Sequence, residues 1–275
     1  MPDTPRRGRP RAFEDRTEAN TVRALDRAMA LLGHLAKAEG LTLTDLARAA
    51  GESPATVYRA LITLQQHGVV ELDAAGQHWH VGAGAFRIGS AFLRRTKVAE
   101  RARGPMQELM RATGETANLG VESRDEVLFL TQVETHEAIR AFFPPGMKGP
   151  MHVSGIGKAL LAFYPPARVA QIVARKGLAG FTARSLTEPA ALTADLAATR
   201  ARGYSIDDEE RAEGMRCVAA PIFNVYGEPV AGLSVSGPAF RMPLTRAGAI
   251  AAQVRAAADA VTAAIGGTRP APPAG

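Results

Sequence analysis

The apolar positions at the start of the chain follow helical spacing. Residues 20–38 carry apolar side chains at steps of three and four, which predicts an amphipathic helix with an apolar face made of Val22, Leu25, Met29, Leu32 and Ala36. Thr42 or Thr44 can cap a second short helix over residues 45–50. Gly51 ends this helix, since glycine readily adopts the left-handed conformation found after many helices.

A third helix and a hairpin follow. Ser53 and Pro54 suit the N-cap and the first position of a helix that extends to about His67. Apolar and polar residues then alternate in two short stretches, at 70–72 and 79–81, which predicts a β-hairpin. Three helices followed by a hairpin predict a winged helix-turn-helix.

The remainder of the chain predicts an α+β domain. Residues 84–112 have helical spacing, with a break at Gly104–Pro105. We expect strands at Ala117–Val121, Val127–Val133, Ile139–Phe143, Val218–Phe223 and Val230–Ser236. We expect further helices at 157–164, 166–176, 189–202 and 244–265. Strand pairs joined by short turns favour an antiparallel sheet with flanking helices over a parallel dinucleotide fold. No apolar run reaches about 18 residues, so no transmembrane helix is predicted.

Positive charge is concentrated at the N-terminus. The net charge is +6, of which residues 1–98 contribute +4 and residues 1–11 alone +3. Arg7 and Arg9 belong to an Arg-Gly-Arg-Pro motif of the AT-hook type, which suits a narrow A·T minor groove, although a solvated basic leader is the alternative. No apolar stretch follows this leader and Cys217 is the single cysteine, so we expect a cytoplasmic protein without a secretory signal or disulfides.

Three segments resemble one known family. They are TLTDLARAAGESPATVYRALITLQQHGVVE at 42–71, MHVSGIGKALLA at 151–162 and RGYSIDDEERAEGMRCVAAPIFNVYGEPVAGLSVSGP at 202–238. In this order and spacing they are similar to the IclR family of bacterial transcriptional regulators, most of all to its glyoxylate-responsive members. The resemblance implies a winged helix-turn-helix, a linker helix and a PAS/GAF-like α/β effector-binding domain, in chains that form dimers or tetramers. The expected boundaries are a disordered leader at 1–19, then 20–82, 83–98 and 99–266, and a disordered tail at 267–275.

The third predicted helix carries the candidate DNA-reading side chains. Its first turns present Thr56, Tyr58 and Arg59 opposite an apolar stripe. In a helix-turn-helix, residues near the start of this helix reach base edges in the major groove. Ser53 at the cap lies where free backbone N–H groups can meet a phosphate. The alternatives are a solvated charge for Arg59 and a packed aromatic ring for Tyr58.

The resemblance also implies the effector site. Positions matching Gly155, Ile156, Asp207, Cys217, Ser234 and Ser236 line the effector pocket of the glyoxylate-binding members. These residue types suit a small carboxylate, because glycine permits close backbone approach and serines two apart on a strand share one face. Asp207 suits it only when protonated or when bonded to the hydroxyls of a hydrated aldehyde, and residues 207–210 alone suggest a solvated acidic turn. Met147 and Met215 are candidate apolar walls.

These features predict a regulator whose binding to the operator of a two-carbon acid operon is modulated by glyoxylate, with no cofactor, metal or catalytic residue. One alternative is a regulator of the same family that senses pyruvate or an aromatic acid. Another is an enzyme that uses Cys217 with His152, or Ser154 with Lys158. A third is an architectural DNA-bending protein, which the nearly neutral C-terminal half disfavours. His78 and His80 share a strand face, but a third metal ligand is not near them in the sequence.

Overall fold

The structure is a computed structural model that describes residues 21–73, 75 and 77–270. The predicted leader, with Arg7 and Arg9, lies outside the described residues. The chain divides into two compact units after residue 92. No helix in the described ranges combines the length and hydropathy needed to span a bilayer.

Residues 21–81, which lie in the first unit, form three helices and a hairpin, as the pattern predicts. The elements are α1 Arg23–Leu35, α2 Leu43–Ala50, α3 Pro54–Gln66, β1 Val70–Asp73 and β2 His78–Val81. Thr42 caps α2 and Ser53 caps α3, each accepting a hydrogen bond from the N–H three residues ahead. Gly51 ends α2 with a φ of 65°. The local sequence signals thus define both helices of the helix-turn-helix.

The predicted apolar face of α1 is largely wrong, although Leu32 packs against the core as expected. Val22, Leu25 and Met29 are all more than half exposed, and Leu31 and Leu35 enter the core instead. Both sets are spaced by three or four residues, so spacing alone does not reveal which one packs within the chain. The core of this unit also contains Leu46, Ala47, Val57, Leu61, Val70 and Trp79.

Two helices follow the hairpin, α4 Ala83–Thr96 and α5 Val98–Thr113. The predicted break at Gly104–Pro105 is wrong, because α5 runs through Pro105 and the interruption lies at Lys97, which has a φ of 43°. The buried side chains of Ala102, Met106 and Leu109 hold α5 against the second unit's core on both sides of the proline.

The second unit is a six-stranded antiparallel sheet covered by helices on both faces. Its strands are β3 Thr116–Glu122, β4 Glu126–Val133, β5 Lys148–Pro150, β6 Ser205–Asp208, β7 Met215–Phe223 and β8 Pro229–Pro238, in the order β5-β4-β3-β8-β7-β6. Its other helices are α6 Gly155–Leu161, α7 Pro166–Lys176, α8 Pro189–Arg202 and α9 Leu244–Ala264. The helices α5 and α9 pack on one face, and α6 to α8 cover the other. This confirms the predicted α+β fold class.

Three parts of the second unit differ from the expectation. Residues 139–143 form no strand, and the sheet edge is β5 instead. Strand β6 was not predicted, because residues 207–210 suggest a solvated turn. The expected disorder of the tail does not extend to residues 267–270, since the Gly267 N–H donates to the Thr262 carbonyl (2.7 Å) and the Arg269 guanidinium pairs with the Asp259 carboxylate (2.7 Å).

Candidate functional site

Strand register brings distant polar residues together on the α6 face of the sheet. Asp207 on β6 lies opposite Cys217 on β7, which lies opposite Ser236 on β8. One row along, Ser234 lies opposite Asn118 on β3. Directly opposed residues in an antiparallel pair project to the same face. Four strands therefore supply one polar surface.

Helix α6 closes this surface from above. Ser154 caps α6 by accepting a hydrogen bond from the Gly157 N–H, and Gly155 and Ile156 form the first turn. A Cβ on Gly155 would lie 2.6 Å from Sγ of Cys217. The absence of a side chain at Gly155 is therefore what lets the helix start meet the sheet.

A small cavity lies between α6 and the sheet, and it is lined by all six residues expected at the effector site: Gly155, Ile156, Asp207, Cys217, Ser234 and Ser236. Its volume is about 430 Å³ when the open space at the mouth is included. Apolar walls come from Met147, as expected, and from Phe129 and Phe143, whose rings stack at 4.8 Å. Met215 is not among the described residues that line it.

Asp207 is a buried carboxyl in this wall, which corrects the interpretation of residues 207–210 as a solvated turn. Burial raises its pKa to about 6, while the hydrogen bond from the Glu210 N–H (2.9 Å) and the nearby Lys158 act in the opposite direction. The next acid, Asp208, pairs with the guanidinium groups of Arg184 and Arg216. Residues 207–210 can lie within the fold because basic side chains and backbone N–H groups pair with their carboxylates.

Lys158 of α6 forms a buried ion cluster with two carboxylates. Its ammonium lies 2.5 Å from the Glu210 carboxylate and 3.2 Å from that of Asp195. Burial raises the pKa of Glu210 to about 7, although the lysine lowers it. The cluster joins α6, the loop after β6 and α8. In the described part of the chain, the Lys158 ammonium contacts these two carboxylates and not Ser154.

The surroundings of Cys217 do not suit a nucleophile. Burial raises the pKa of its thiol to about 12, although hydrogen bonds with Ser234 and Ser236 act in the opposite direction. His152, the base of the enzyme alternative, bonds the Ala179 carbonyl through Nε2 (2.9 Å) and does not line the cavity. A protonated thiol without a base does not support covalent catalysis.

Two further residues of the site were not predicted. Asn118 is fully buried, and its Nδ2 lies 3.3 Å from Oγ of Ser236 and 3.5 Å from Oγ of Ser234. An asparagine within the predicted strand at 117–121 is the signal that would have indicated it, since a buried amide needs partners. Arg211 also lines the cavity, and the neighbouring acids concealed it in the sequence.

The expected DNA-reading residues lie together at the start of α3. Tyr58 and Arg59 are exposed on the side opposite the buried Val57. Thr56 is half-buried and accepts a hydrogen bond from the Ser53 hydroxyl (2.9 Å). Within the described residues, no group of three His, Cys, Asp or Glu side chains is arranged to hold a metal, His78 and His80 included.

Comparison with known proteins identifies the chain. Residues 24–74 match the IclR helix-turn-helix domain, and residues 90–263 match the family described as bacterial transcriptional regulator IclR, C-terminal. The chain belongs to the IclR family. It is 52% identical to the HTH-type transcriptional regulator BhcR of Paracoccus denitrificans, over 92% of each chain. It is 41% identical to the acetate operon repressor of Salmonella typhimurium, over 96% of this chain and 97% of that one.

Solved structures agree with this assignment. The crystal structure of Thermotoga maritima IclR is 27% identical and has a TM-score of 0.77, covering 89% of this chain and 99% of that one. These IclR-family relatives are transcriptional regulators, and the chain is accordingly a DNA-binding transcriptional regulator and not an enzyme. Regulators of this family bind DNA and small-molecule effectors.

Proposed function

We propose that this IclR-family regulator binds glyoxylate in the cavity between α6 and the sheet, and that binding changes its affinity for the operator of a two-carbon acid operon. The observation that carries the proposal is the convergence of Gly155, Ile156, Asp207, Cys217, Ser234 and Ser236 on one small cavity. The name of the Salmonella typhimurium relative, an acetate operon repressor, supports a two-carbon acid as the regulated substrate.

Glyoxylate has two chemically different ends, and the cavity offers a partner for each. The first N–H groups of a helix have no intrahelical partner, so those of Gly155 and Ile156 are available to a carboxylate. The hydroxyls of Ser234 and Ser236 are further donors. Asp207 accepts from the hydroxyls of the hydrated aldehyde. Because Asp207 meets the hydroxyl end of the ligand, its carboxylate and that of the ligand are kept apart and repel each other less.

The DNA-binding unit reads the operator through α3. Arg59 and Thr56 contact base edges, Tyr58 lies beside them, and the α3 start at Ser53 meets a phosphate. Arg7 and Arg9 enter the adjacent minor groove. The chain acts as a dimer or tetramer, since α1 exposes the apolar stripe Val22, Leu25 and Met29. A bound effector shifts the equilibrium between two arrangements by its different affinity for each.

A gel-shift titration tests the proposal. The probe is the intergenic DNA next to the gene, at fixed salt because phosphate contacts make affinity salt-dependent. We expect a retarded complex with a midpoint that moves at least severalfold with glyoxylate, and no such movement for Ser234→Ala/Ser236→Ala. Thr193→Ala, an exposed position on α8, is the control for side-chain removal. A complex that responds to pyruvate or 4-hydroxybenzoate but not to glyoxylate would contradict the ligand assignment.

A further inference from the structure

Arg211 belongs to the cavity wall and has an unused hydrogen-bond donor. Its side chain lines the cavity, and its Nη1 is buried with no hydrogen-bond partner within the described part of the chain. A buried guanidinium N–H without an acceptor costs free energy. The cost is removed when an anion enters the cavity and accepts from this nitrogen.

The position of Arg211 is fixed from several sides. Its guanidinium lies 4.1 Å from the ring centre of Phe181. The backbone just before it is held by Thr182, whose hydroxyl donates to the Glu209 carbonyl (2.7 Å), and by Ser185, whose hydroxyl donates to the Glu210 carbonyl (2.7 Å). The arginine therefore needs little reordering to bind a ligand.

The surrounding charges leave Arg211 available. Glu210 pairs with Lys158, and Asp208 pairs with Arg184 and Arg216. The other cation of the cavity wall, Lys148, lies 3.8 Å from the Glu126 carboxylate. Lys148 and Arg211 are the cationic side chains among the described residues of the lining. Of the two, Arg211 has a buried nitrogen without a hydrogen-bond partner.

We propose that Arg211 binds the carboxylate of the effector and makes the cavity selective for small monocarboxylates over neutral molecules of the same size. The proposal rests on the glyoxylate site described above and adds the residue that sets its charge preference. Planar guanidinium groups suit carboxylates in both charge and geometry. Asp207 then serves the hydroxyl end of the ligand and Arg211 the acid end.

Calorimetric titration of the full chain tests this role, with glyoxylate, pyruvate and the neutral glycolaldehyde as probes. Arg211→Gln should weaken glyoxylate binding by about tenfold to a hundredfold, as expected for one charge-assisted hydrogen bond. It should also reduce the preference for glyoxylate over glycolaldehyde. Arg211→Lys, which keeps the charge, should lose less. Arg111→Gln, which removes an exposed arginine on α5, should bind as the parent does.

The outcomes separate this inference from the glyoxylate assignment. Parent-like affinity of Arg211→Gln for glyoxylate overturns the role of Arg211 and leaves the effector assignment intact. Binding of pyruvate alone, weakened by Arg211→Gln, supports Arg211 and contradicts glyoxylate. If none of the carboxylates binds the parent chain, both proposals fail. A purely structural arginine would lower the Tm of the unliganded variant, whereas we expect that Tm to be preserved and only the ligand-induced rise to be lost.

Discussion

Asp207 is the residue whose chemistry matters most to the candidate site. Its carboxyl is buried in the cavity wall, and burial raises its pKa to about 6. It faces Lys158 from α6, Cys217 from β7, and Asp208 and Glu210 from its own segment. Burial raises the pKa of Glu210 as well, so two carboxyls on this segment bind protons more tightly than they would in the unfolded chain.

Asp207 should make stability depend on pH. Its pKa is raised above the model-peptide value of 3.8, so its contribution to the free energy of unfolding is full below pH 3.8 and is lost as pH rises through 6. Asp207→Asn keeps an Oδ1 that can accept from the Glu210 N–H but does not titrate. Between pH 4.5 and 7 the parent should lose roughly 2 kcal/mol relative to this variant.

Urea denaturation across this pH range measures the difference, together with the smaller effect of removing the Asp207 charge beside Glu210. Asp73→Asn, an exposed position in the wing, serves as the control and should follow the parent curve. Parallel curves for the parent and Asp207→Asn would show that the carboxyl is not held in the protonated form by burial.

At the scale of elements, the sequence predicts helix starts well, because helix capping depends on residues that are close to one another in the chain. Thr42, Ser53 and Pro54 predict the starts of α2 and α3, because caps satisfy the free N–H groups of a helix start. The strand predicted at residues 139–143 is absent because of contacts with residues that are distant in the sequence. Phe143 turns into the cavity and stacks on Phe129, while Ile139 remains exposed with its carbonyl bonded by Arg241. An alternating apolar run does not reveal such partners.

The candidate site depends on register in the same way. The family resemblance named six of its residues, but residue chemistry alone did not place Asp207 beside Cys217 and Ser236. That requires the pairing of β6 with β7 and of β7 with β8. Asn118 is supplied by a strand more than a hundred residues before its serine partners, so its place in a predicted strand can indicate a buried amide but not which residues that amide contacts.

The close approach of α6 to the sheet gives a prediction at this scale. Gly155→Ala should destabilise the protein by about 1–3 kcal/mol, because the new methyl group would meet Sγ of Cys217 at 2.6 Å. Adding Cys217→Ala removes that sulfur and should restore a large part of the loss. Gly149→Ala, also in the cavity wall but with open space around a Cβ, is the matched control. Chemical denaturation of the parent and these three variants measures the effect. Equal stability of Gly155→Ala and Gly149→Ala would refute the packing argument.

At the scale of the whole molecule, charge and apolar surface are unevenly distributed. Residues 1–11, which precede the helices of the DNA-binding unit, carry +3 of the net charge of +6, and phosphates attract such a basic segment. The same unit exposes the apolar stripe of α1. A helix-turn-helix protein usually reads two half-sites as a dimer. An apolar face that is not used within the chain is then available to a second copy.

This gives a prediction about assembly. Leu25→Glu/Met29→Glu places charge on the exposed stripe without entering the core, since Leu31 and Leu35 supply the buried face of α1. Charge on that stripe would have to be desolvated in a dimer, so we expect the variant to become monomeric in light scattering. It should also bind a two-half-site operator about a hundredfold more weakly, because the second contact is no longer tethered to the first.

Tyr226→Glu, which charges an exposed aromatic residue of the second unit, should leave mass and affinity unchanged. A variant of parent mass would show that dimers form through another surface, and a monomer of parent affinity would show that one copy suffices for operator binding.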